Sequence, residues 1–193
     1  MLRNLYNWTM ALAAHRHAGW ALFAIAFAES SVFPIPPDAA LIPMALADRT
    51  RVWRYALIAT VASVLGGFAG YAIGFYLFDA LGRPLLDFYG YIDAFQEFAA
   101  RYNSYGAWIV FTAGVTPFPY KVITIASGAT ALDLKVFAVA SISARGLRFF
   151  LVCALLYWFG PPVRDLIERY LGLFFAAFMA MLIGGFVIVK FLV

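Results

Sequence analysis

The stretch SSVFPIPPDAALIPM, at residues 30–44, places four prolines and the carboxylate of Asp38 inside apolar sequence, directly after the acid Glu29. Proline removes a backbone donor and disfavours helix in the residue before it. The prolines that predict the break are Pro34, Pro36 and Pro37. The stretch therefore predicts a helix that stops at the prolines and resumes as a short half-helix.

A second stretch, VTPFPYKVITIASG at residues 115–128, repeats this pattern. PIPPD (34–38) aligns with PFPYK (117–121) at a constant offset of 83 residues, since 117 − 34 equals 121 − 38. The second break is predicted at Pro117 and Pro119, and the base Lys121 takes the place of the acid. The chain therefore has two related halves, each with a proline-broken and oppositely charged segment.

The composition indicates an integral membrane protein of one domain. The 193 residues are 65% hydrophobic and 12% charged, with a mean hydropathy of +0.86, whereas soluble domains carry about 25% charged residues. The single cysteine, Cys153, excludes an internal disulfide, and the first 20 residues lack the pattern of a cleavable signal peptide. Basic residues flank the apolar spans rather than forming a stripe, so the net charge of +4 does not indicate nucleic acid as a partner.

The predicted fold class is an all-α integral membrane protein, an inverted repeat of two re-entrant helical hairpins, each followed by a crossing helix, plus one C-terminal transmembrane helix. The segments of this single membrane domain are an interfacial N-terminus (1–16), a first re-entrant hairpin (17–47), a crossing helix (55–78), an amphipathic linker (79–105) that divides near Gly90, a second hairpin (106–132), a crossing helix (136–159) and a C-terminal helix (171–193). The alternative, with every hairpin limb as a full crossing, would leave broken backbone against lipid.

The distribution of bases predicts the orientation. One side would hold seven bases: Arg3, Arg16, Arg49, Arg51, Arg54, Arg164 and Arg169. The other would hold four: Arg83, Arg101, Lys135 and Lys190. The positive-inside rule then places the N-terminus in the cytoplasm, in a multi-pass protein of the cytoplasmic (inner) membrane.

Five ionisable residues lie within sequence predicted to be at membrane depth: Glu29, Asp38, Lys121, Arg145 and Arg148. A charge at the centre of a bilayer costs about 2.5–3.5 kcal/mol on insertion scales, so it usually faces a partner or a cavity. Two acids and three bases leave one positive charge, which suits an anionic ligand such as a phosphate headgroup. Protons are a further ligand that these acids allow.

Each of these residues has two readings that the sequence leaves open. Asp38 and Lys121, at matched repeat positions, either form a salt bridge between the hairpins or act in function. Glu29 either carries a proton, with Asp38 as a second gating acid, or pairs with an arginine. Arg145 and Arg148, three residues apart and so on one helix face, either bind a phosphate together with Lys121 or pair with the two acids.

The sequence gives little support to a metal, cofactor or catalytic site. His15 and His17 are two apart and have no acid or cysteine cluster beside them, so no metal site, no cofactor and no catalytic residue are predicted. The glycines at helical spacing in the first crossing, Gly66, Gly70 and Gly74, predict a close-packing face. That face could serve another helix of this chain or another copy in a homo-oligomer.

The sequence resembles the DedA family of membrane proteins (VTT-domain, "SNARE-associated"), and is most similar to its YqaA-like branch. The segments that carry the resemblance are AESSVFPIPPDAALIPMAL from Ala28, GGFAGYAIG from Gly66, TPFPYKVITIASGA from Thr116 and ARGLRFF from Ala144. The resemblance implies two inverted re-entrant hairpins. It also implies essential acids at Glu29 and Asp38 and a functional base at Lys121.

The resemblance further implies movement of phospholipids or polyprenyl-phosphate carriers between leaflets, in some members linked to the proton gradient. Many family members carry an arginine shortly before the second break, where this chain has Gly114 and Val115. Arg145 or Arg148 would then supply that charge. The sequence-based hypothesis is a lipid transporter and not an enzyme; a membrane enzyme acting on phospholipids and a structural or chaperone-like membrane protein are the alternatives.

Overall fold

The computed structural model describes residues 18–33, 36–116 and 118–160, and the regular elements in these ranges are all helical. They are α1 (Ala18–Ser31), α2 (Asp38–Ala47), a 3₁₀ turn (Arg49–Arg51), α3 (Val52–Leu77), a π-helical turn (Phe78–Gly82), α4 (Arg83–Tyr89), α5 (Ile92–Val115), α6 (Tyr120–Ala129) and α7 (Leu134–Gly160). The all-α class is thus confirmed over the described residues.

Several predicted features lie outside the described residues. They are the N-terminal segment 1–16, the C-terminal helix 171–193, Pro34 and Pro117 of the two predicted breaks, the histidine pair His15 and His17, and five of the bases counted for orientation, Arg3, Arg16, Arg164, Arg169 and Lys190.

Two helices are long and apolar enough to cross a membrane. The continuous helical run Arg49–Tyr89 has 41 residues and Leu134–Gly160 has 27, with mean hydropathy of 1.8 and 1.7 over an apolar window of each. At about 1.5 Å per residue, both exceed the roughly 30 Å thickness of a hydrocarbon core. They contain the segments 55–78 and 136–159 that the sequence predicts as crossings.

Both proline-containing segments separate two helices. At the end of α1 the amides of Val32 and Phe33 both donate to the carbonyl of Ala28, at 2.9 and 2.8 Å, and α2 begins directly after Pro37. At the end of α5 the backbone of Thr116 is extended, and α6 begins after Pro119, which is also extended. Each half of the chain therefore has a long helix, an interruption and a ten-residue helix.

The helix boundaries follow the sequence offset of 83 residues. Adding 83 to Asp38–Ala47 gives 121–130, one residue from α6, and adding 83 to Val52–Leu77 gives 135–160, which coincides with α7 apart from its first residue. The last residue of α1 maps to 114 (31 + 83), and α5 ends at Val115. The order of the helices is thus repeated, and so are the lengths of the short helix and of the long helix that follows it.

Helices α3 and α7 pack antiparallel. The ring centroids of Phe68 and Phe137 lie 5.7 Å apart, and Thr60, about two turns earlier on α3, lies beside Gly146 on α7. At the start of the run, Arg49 donates to the carbonyl of Tyr157 near the end of α7. Residues later in α3 thus contact residues earlier in α7, so the two long helices run in opposite directions.

The glycine face of α3 packs within the chain. A Cβ atom on Gly66 would collide with the backbone of Phe27 on α1, and one on Gly74 would collide with the backbone of Ile125 on α6. Between them, Gly70 faces Thr124 of α6. Small residues allow this approach of backbones, so α1 and α6 lie on successive parts of one face of α3. The sequence left open whether this glycine face packs against another helix of the chain or against another copy. In the structure it packs against helices of the same chain.

The predicted linker 79–105 does not end where the sequence analysis places it. Gly90 does divide it, with a left-handed φ of 71°. However, α5 runs without interruption from Ile92 to Val115, so no element boundary lies at residue 106. The sequence between these limits contains no proline, and Gly106 lies inside the helix because Leu132 packs directly against its Cα.

Candidate functional site

The buried polar residues meet near the middle of the two long helices. Ser63 is the twelfth of the 26 residues of α3 (63 − 51), and Arg145 is the twelfth of the 27 residues of α7 (145 − 133). Mid-helix polar groups that face the interior of an apolar bundle must find partners there. We refer to Glu29, Ser30, Asp38, Ser63, Arg145 and Arg148 as the charge network.

Arg145 is held in a closed ring of hydrogen bonds. Its Nη2 donates to Glu29 Oε2 at 2.7 Å and its Nε donates to Ser63 Oγ at 2.6 Å. Ser63 Oγ and Ser30 Oγ lie 2.6 Å apart, and Ser30 Oγ donates to the same Glu29 oxygen at 3.0 Å. Because the Ser30 proton is used on Glu29, the Ser63 hydroxyl donates to Ser30. The ring thus links α1, α3 and α7.

Two aromatic rings complete the surroundings of Arg145. Its guanidinium carbon lies 4.7 Å from the ring centroid of Tyr120 and 4.8 Å from that of Phe149, within the range of cation–π attraction. The side chain of Arg145 is 1% exposed, while that of Glu29 is 14% exposed. Arg145 is therefore a fully enclosed charge whose position is fixed by neighbours on several helices.

Arg148 connects the two interruptions. Its Nη2 donates to Asp38 Oδ2 at 2.5 Å, just after the first interruption, and its Nη1 donates to the carbonyl of Thr116 at 2.6 Å, just before the second. This pair is more open than the other, since the side chains of Arg148 and Asp38 are 16% and 25% exposed. The second carboxylate oxygen, Asp38 Oδ1, is buried without a hydrogen-bond partner among the described residues.

Of the two roles left open for Asp38 and Lys121, a salt bridge between them is not formed among the described residues. Asp38 pairs with Arg148, and Lys121 Nζ instead donates to the carbonyl of Val32 at 3.3 Å, at the end of α1. The carbonyls at the end of a helix lack intrahelical partners and attract cations. The planar fork of arginine can serve a carboxylate and a carbonyl together, which a lysine serves less well. The two interruptions are therefore joined by two separate contacts.

The pairing of Arg145 with Glu29 and of Arg148 with Asp38 is the alternative that the sequence left open for the two arginines. Four of the five predicted charged residues belong to the network: Glu29, Asp38, Arg145 and Arg148. The fifth, Lys121, contacts the carbonyl of Val32 at the end of α1, the helix that carries Glu29. Among the described residues, no group of three or more His, Cys, Asp and Glu side chains is arranged to hold a metal ion.

Sequence reasoning missed the neutral members of the site: Ser30, Ser63, Thr116, Tyr120 and Phe149. A signal existed for two of them. Ser30 follows Glu29 directly, and Tyr120 lies inside the PFPYK motif. The others are single polar or aromatic residues within apolar helices, and their role depends on contacts between helices that are distant in sequence.

The family model described as the VTT domain matches residues 35–158. The chain belongs to the VTT-domain family. The matched range of this VTT-domain protein includes three of the network's charged residues, Asp38, Arg145 and Arg148, and also Lys121; Glu29 lies six residues before it (35 − 29). VTT-domain proteins are membrane proteins, which agrees with the two long apolar helices.

This VTT-domain protein is also similar to two curated relatives. An uncharacterized protein of Haemophilus influenzae is 36% identical over 157 residues, which cover 81% of each chain. An uncharacterized protein homologue of Histophilus somni is 36% identical over 157 residues, which cover 81% of this chain and 82% of the relative. No solved structure matches the chain.

Proposed function

We propose that this protein is a multi-pass transporter of the cytoplasmic membrane that moves a phospholipid or a polyprenyl-phosphate lipid between leaflets. The observation that carries the proposal is the pair of acid–arginine contacts at mid-depth, Glu29 with Arg145 and Asp38 with Arg148. Buried charges in membrane helices usually mark a pathway for a charged ligand. Phosphate oxygens suit the arginine fork as carboxylate oxygens do.

The two ion pairs would have different tasks. Arg145 has its guanidinium engaged by Glu29, Ser63 and two rings, so it would hold the network in place and keep Glu29 positioned. Arg148 is partly open and relies on one carboxylate oxygen and one carbonyl. A phosphate would displace Asp38 from Arg148, with Lys121 as a second contact. Protonation of Asp38 or Glu29 would favour the same exchange, which is how a proton gradient would couple to transport.

The helix arrangement supports an inverted repeat of two re-entrant hairpins. Gly19 near the start of α1 lies beside Ile58, and α2 ends at the 3₁₀ turn that leads into α3. Both ends of the first hairpin therefore lie near the same end of α3. The offset of 83 residues and the antiparallel packing of α3 and α7 extend the same pattern to the second half. The positive-inside rule would place the N-terminus in the cytoplasm.

We further propose, on the sequence resemblance, that the chain belongs to the YqaA-like branch, and the packing at Gly114 fits the lack of an arginine there. A Cβ atom on Gly114 would collide with Ala144 and would lie 3.7 Å from Cδ of Arg145. The side chain of Arg145 thus occupies the space beside Gly114. In this protein the charge would come from Arg145 or Arg148 on α7 rather than from α5.

The test is lipid translocation in reconstituted liposomes. Arg148→Gln should abolish transport of a fluorescent phosphate-bearing lipid, because it removes the cation that would bind the phosphate. Asp38→Asn should also abolish it, because a neutral amide cannot compete with the phosphate for Arg148 and so cannot release the phosphate. Arg101→Gln is the matched control, since Arg101 is exposed and, within the part of the chain that the structure describes, its acidic partner is Glu97 on its own helix. Transport by Arg148→Gln at the rate of the control would refute the proposal.

A structural role is the second candidate, and the enclosure of Arg145 favours it. If the Asp38–Arg148 pair only holds helices together, the exchange Asp38→Arg with Arg148→Asp should restore full activity lost in the single variants. We propose no catalytic residue: the Ser30 hydroxyl does lie beside the Glu29 carboxylate, but Ser30 is fully buried, so a lipid substrate would not reach it. Turnover of a phospholipid by the purified protein would favour the enzyme alternative instead.

A further inference from the structure

A cleft of about 310 Å³ lies between the start of α1 and the first turns of α3, apart from the charge network. Its walls include Gly19, Trp20 and Phe23 on α1 and Arg51, Arg54 and Ile58 on or just before α3. Arg54 and Ile58 are four residues apart, so they lie on one face of α3. The cleft thus has a basic end at the start of α3 and an apolar end one turn further along.

The basic end carries more positive charge than nearby acids neutralise. Arg51 Nε lies 3.2 Å from Asp48 Oδ2, and the Arg51 side chain is 61% exposed. Arg54 is exposed and has no carboxylate partner among the described residues. The side-chain hydrogen bond from Thr50, with smaller help from backbone amides and from Arg51, lowers the pKa of Asp48 from its ordinary value. Asp48 is therefore ionised at neutral pH and balances one of the two arginines.

The sequence before α1 offers no further acid. Residues 1–17 contain Arg3 and Arg16 and no Asp or Glu. Wherever this segment lies, it cannot neutralise Arg51 and Arg54. Residues 1–17 therefore add to the positive charge at this end of the chain, which favours an anionic partner.

The apolar end has the character of a membrane interface. Trp20 is 73% exposed, and its ring packs edge-on against Phe23 with centroids 6.1 Å apart. Exposed tryptophan beside arginine at the end of a membrane-spanning helix is typical of the headgroup region. Tyr55, which is 4% exposed, closes the floor of the cleft.

We propose that this cleft binds a single anionic phospholipid of the leaflet at which α3 begins. The phosphate would be held by the guanidinium groups of Arg51 and Arg54, and an acyl chain would lie along Trp20, Phe23 and Ile58. Two arginine forks bind phosphate through charge-assisted hydrogen bonds. The remaining positive charge selects a lipid with net negative charge, such as phosphatidylglycerol, over zwitterionic phosphatidylethanolamine. This site requires a membrane around the chain but does not require transport.

Native mass spectrometry of the full-length protein in a nonionic detergent tests the proposal. Phosphatidylglycerol and phosphatidylethanolamine with identical acyl chains are titrated separately, and bound lipid is counted. Arg51→Gln with Arg54→Gln should weaken the tightest phosphatidylglycerol binding about tenfold or more, given the loss of two charge-assisted contacts. Arg83→Gln with Arg101→Gln removes the same charge outside the cleft and should stay within about twofold of the wild type.

The outcomes separate this site from its alternatives. Equal binding of the two lipids, or unchanged binding by the Arg51/Arg54 variant, overturns the proposal; the second result is also expected if the segment before α1 fills the cleft. Displacement of the lipid by inorganic phosphate at similar concentration would show a site for free phosphate and would overturn it too. If the Arg51/Arg54 variant fails to fold, Arg54→Gln alone and Trp20→Ala provide the same comparison.

The same variants distinguish this inference from the proposed function. The Arg51/Arg54 variant should lose tight lipid retention and keep lipid translocation. Arg148→Gln should do the reverse. The lipid-binding site can therefore be disproved without disproving transport, and transport can be disproved without disproving the lipid-binding site.

Discussion

Arg148 and Asp38 lie 110 residues apart in the sequence and 2.5 Å apart in the structure, measured from Nη2 to Oδ2. Only one carboxylate oxygen takes part, and the other is buried without a partner among the described residues. An ionised oxygen that lacks a hydrogen bond is costly to bury. The pair therefore holds two helices together through a single carboxylate oxygen of Asp38, while the other oxygen gains no hydrogen bond from the described residues.

We expect Asp38→Asn to lower the free energy of unfolding by about 1–3 kcal/mol, below the roughly 3–5 kcal/mol typical of fully buried pairs, because this pair is partly exposed. The amide cannot balance the charge of Arg148. Denaturant-induced unfolding in detergent micelles measures the change. Asp87→Asn removes the same charge from an exposed position on α4, and an equal loss there would show that the ion pair contributes nothing.

Arg145→Lys should destabilise the protein by about 3–5 kcal/mol, since an enclosed charge would lose its partners. A lysine can reach Glu29 or Ser63 but not both, and it loses the planar stacking between Tyr120 and Phe149. The same unfolding assay applies. Arg101→Lys, on the exposed part of α5, should change stability by less than about 0.5 kcal/mol. Wild-type stability of the Arg145→Lys variant would contradict the closed ring.

Substitution by alanine should have opposite effects on stability at Gly66 in α3 and at Gly146 in α7. Gly66→Ala forces a methyl group into the backbone of Phe27, and overpacking of this kind costs about 1–3 kcal/mol. Gly146 lies inside α7, and among the described residues a methyl group there would meet Thr60 Cγ2 alone, at 3.9 Å, which is an ordinary van der Waals distance. Gly146→Ala should therefore stabilise the protein by about 0.5–1 kcal/mol through helix propensity. Thermal unfolding of both variants side by side checks the contrast, and a loss of stability in both would argue against it.

Asp133 caps the start of α7. Its Oδ1 accepts hydrogen bonds from the amides of Lys135 and Val136 at 2.8 and 3.0 Å. Asp133→Ala should cost about 1 kcal/mol, while Asp133→Ser should retain most of the stability because serine also caps helices. Unfolding in detergent gives both values. If serine is as damaging as alanine, the charge of Asp133 rather than its capping bond is responsible.

The helical class, the two long helices and the interruptions could be predicted because proline, glycine and hydropathy act locally. Pro36 and Pro119 lie in the segments that separate helices, and the left-handed Gly90 lies where the linker was expected to divide. These residues limit the backbone whatever surrounds them.

The partners of the charges could not be predicted with the same success. Because Asp38 and Lys121 occupy matched positions in the repeat, the sequence suggested a pairing between them. In the structure Lys121 instead donates to the carbonyl of Val32 at the end of α1, and Asp38 pairs with Arg148. The helix through residue 106 was missed for a related reason. Glycine there indicates a possible boundary, yet packing against Leu132 keeps it helical. Both errors concern contacts between segments that are distant in sequence.

The separation of acids and bases along the chain has a consequence for biosynthesis. Glu29 and Asp38 precede their arginines by 116 and 110 residues. At about 5–20 residues per second of translation, the first half leaves the ribosome roughly 5–25 s before its counter-charges exist. During that interval two carboxylates must remain at the membrane surface, stay protonated or be shielded by the insertion machinery, because each costs about 2.5–3.5 kcal/mol at the bilayer centre. Glu29 and Asp38 thus gain their ion-pair partners only after α7 has been made.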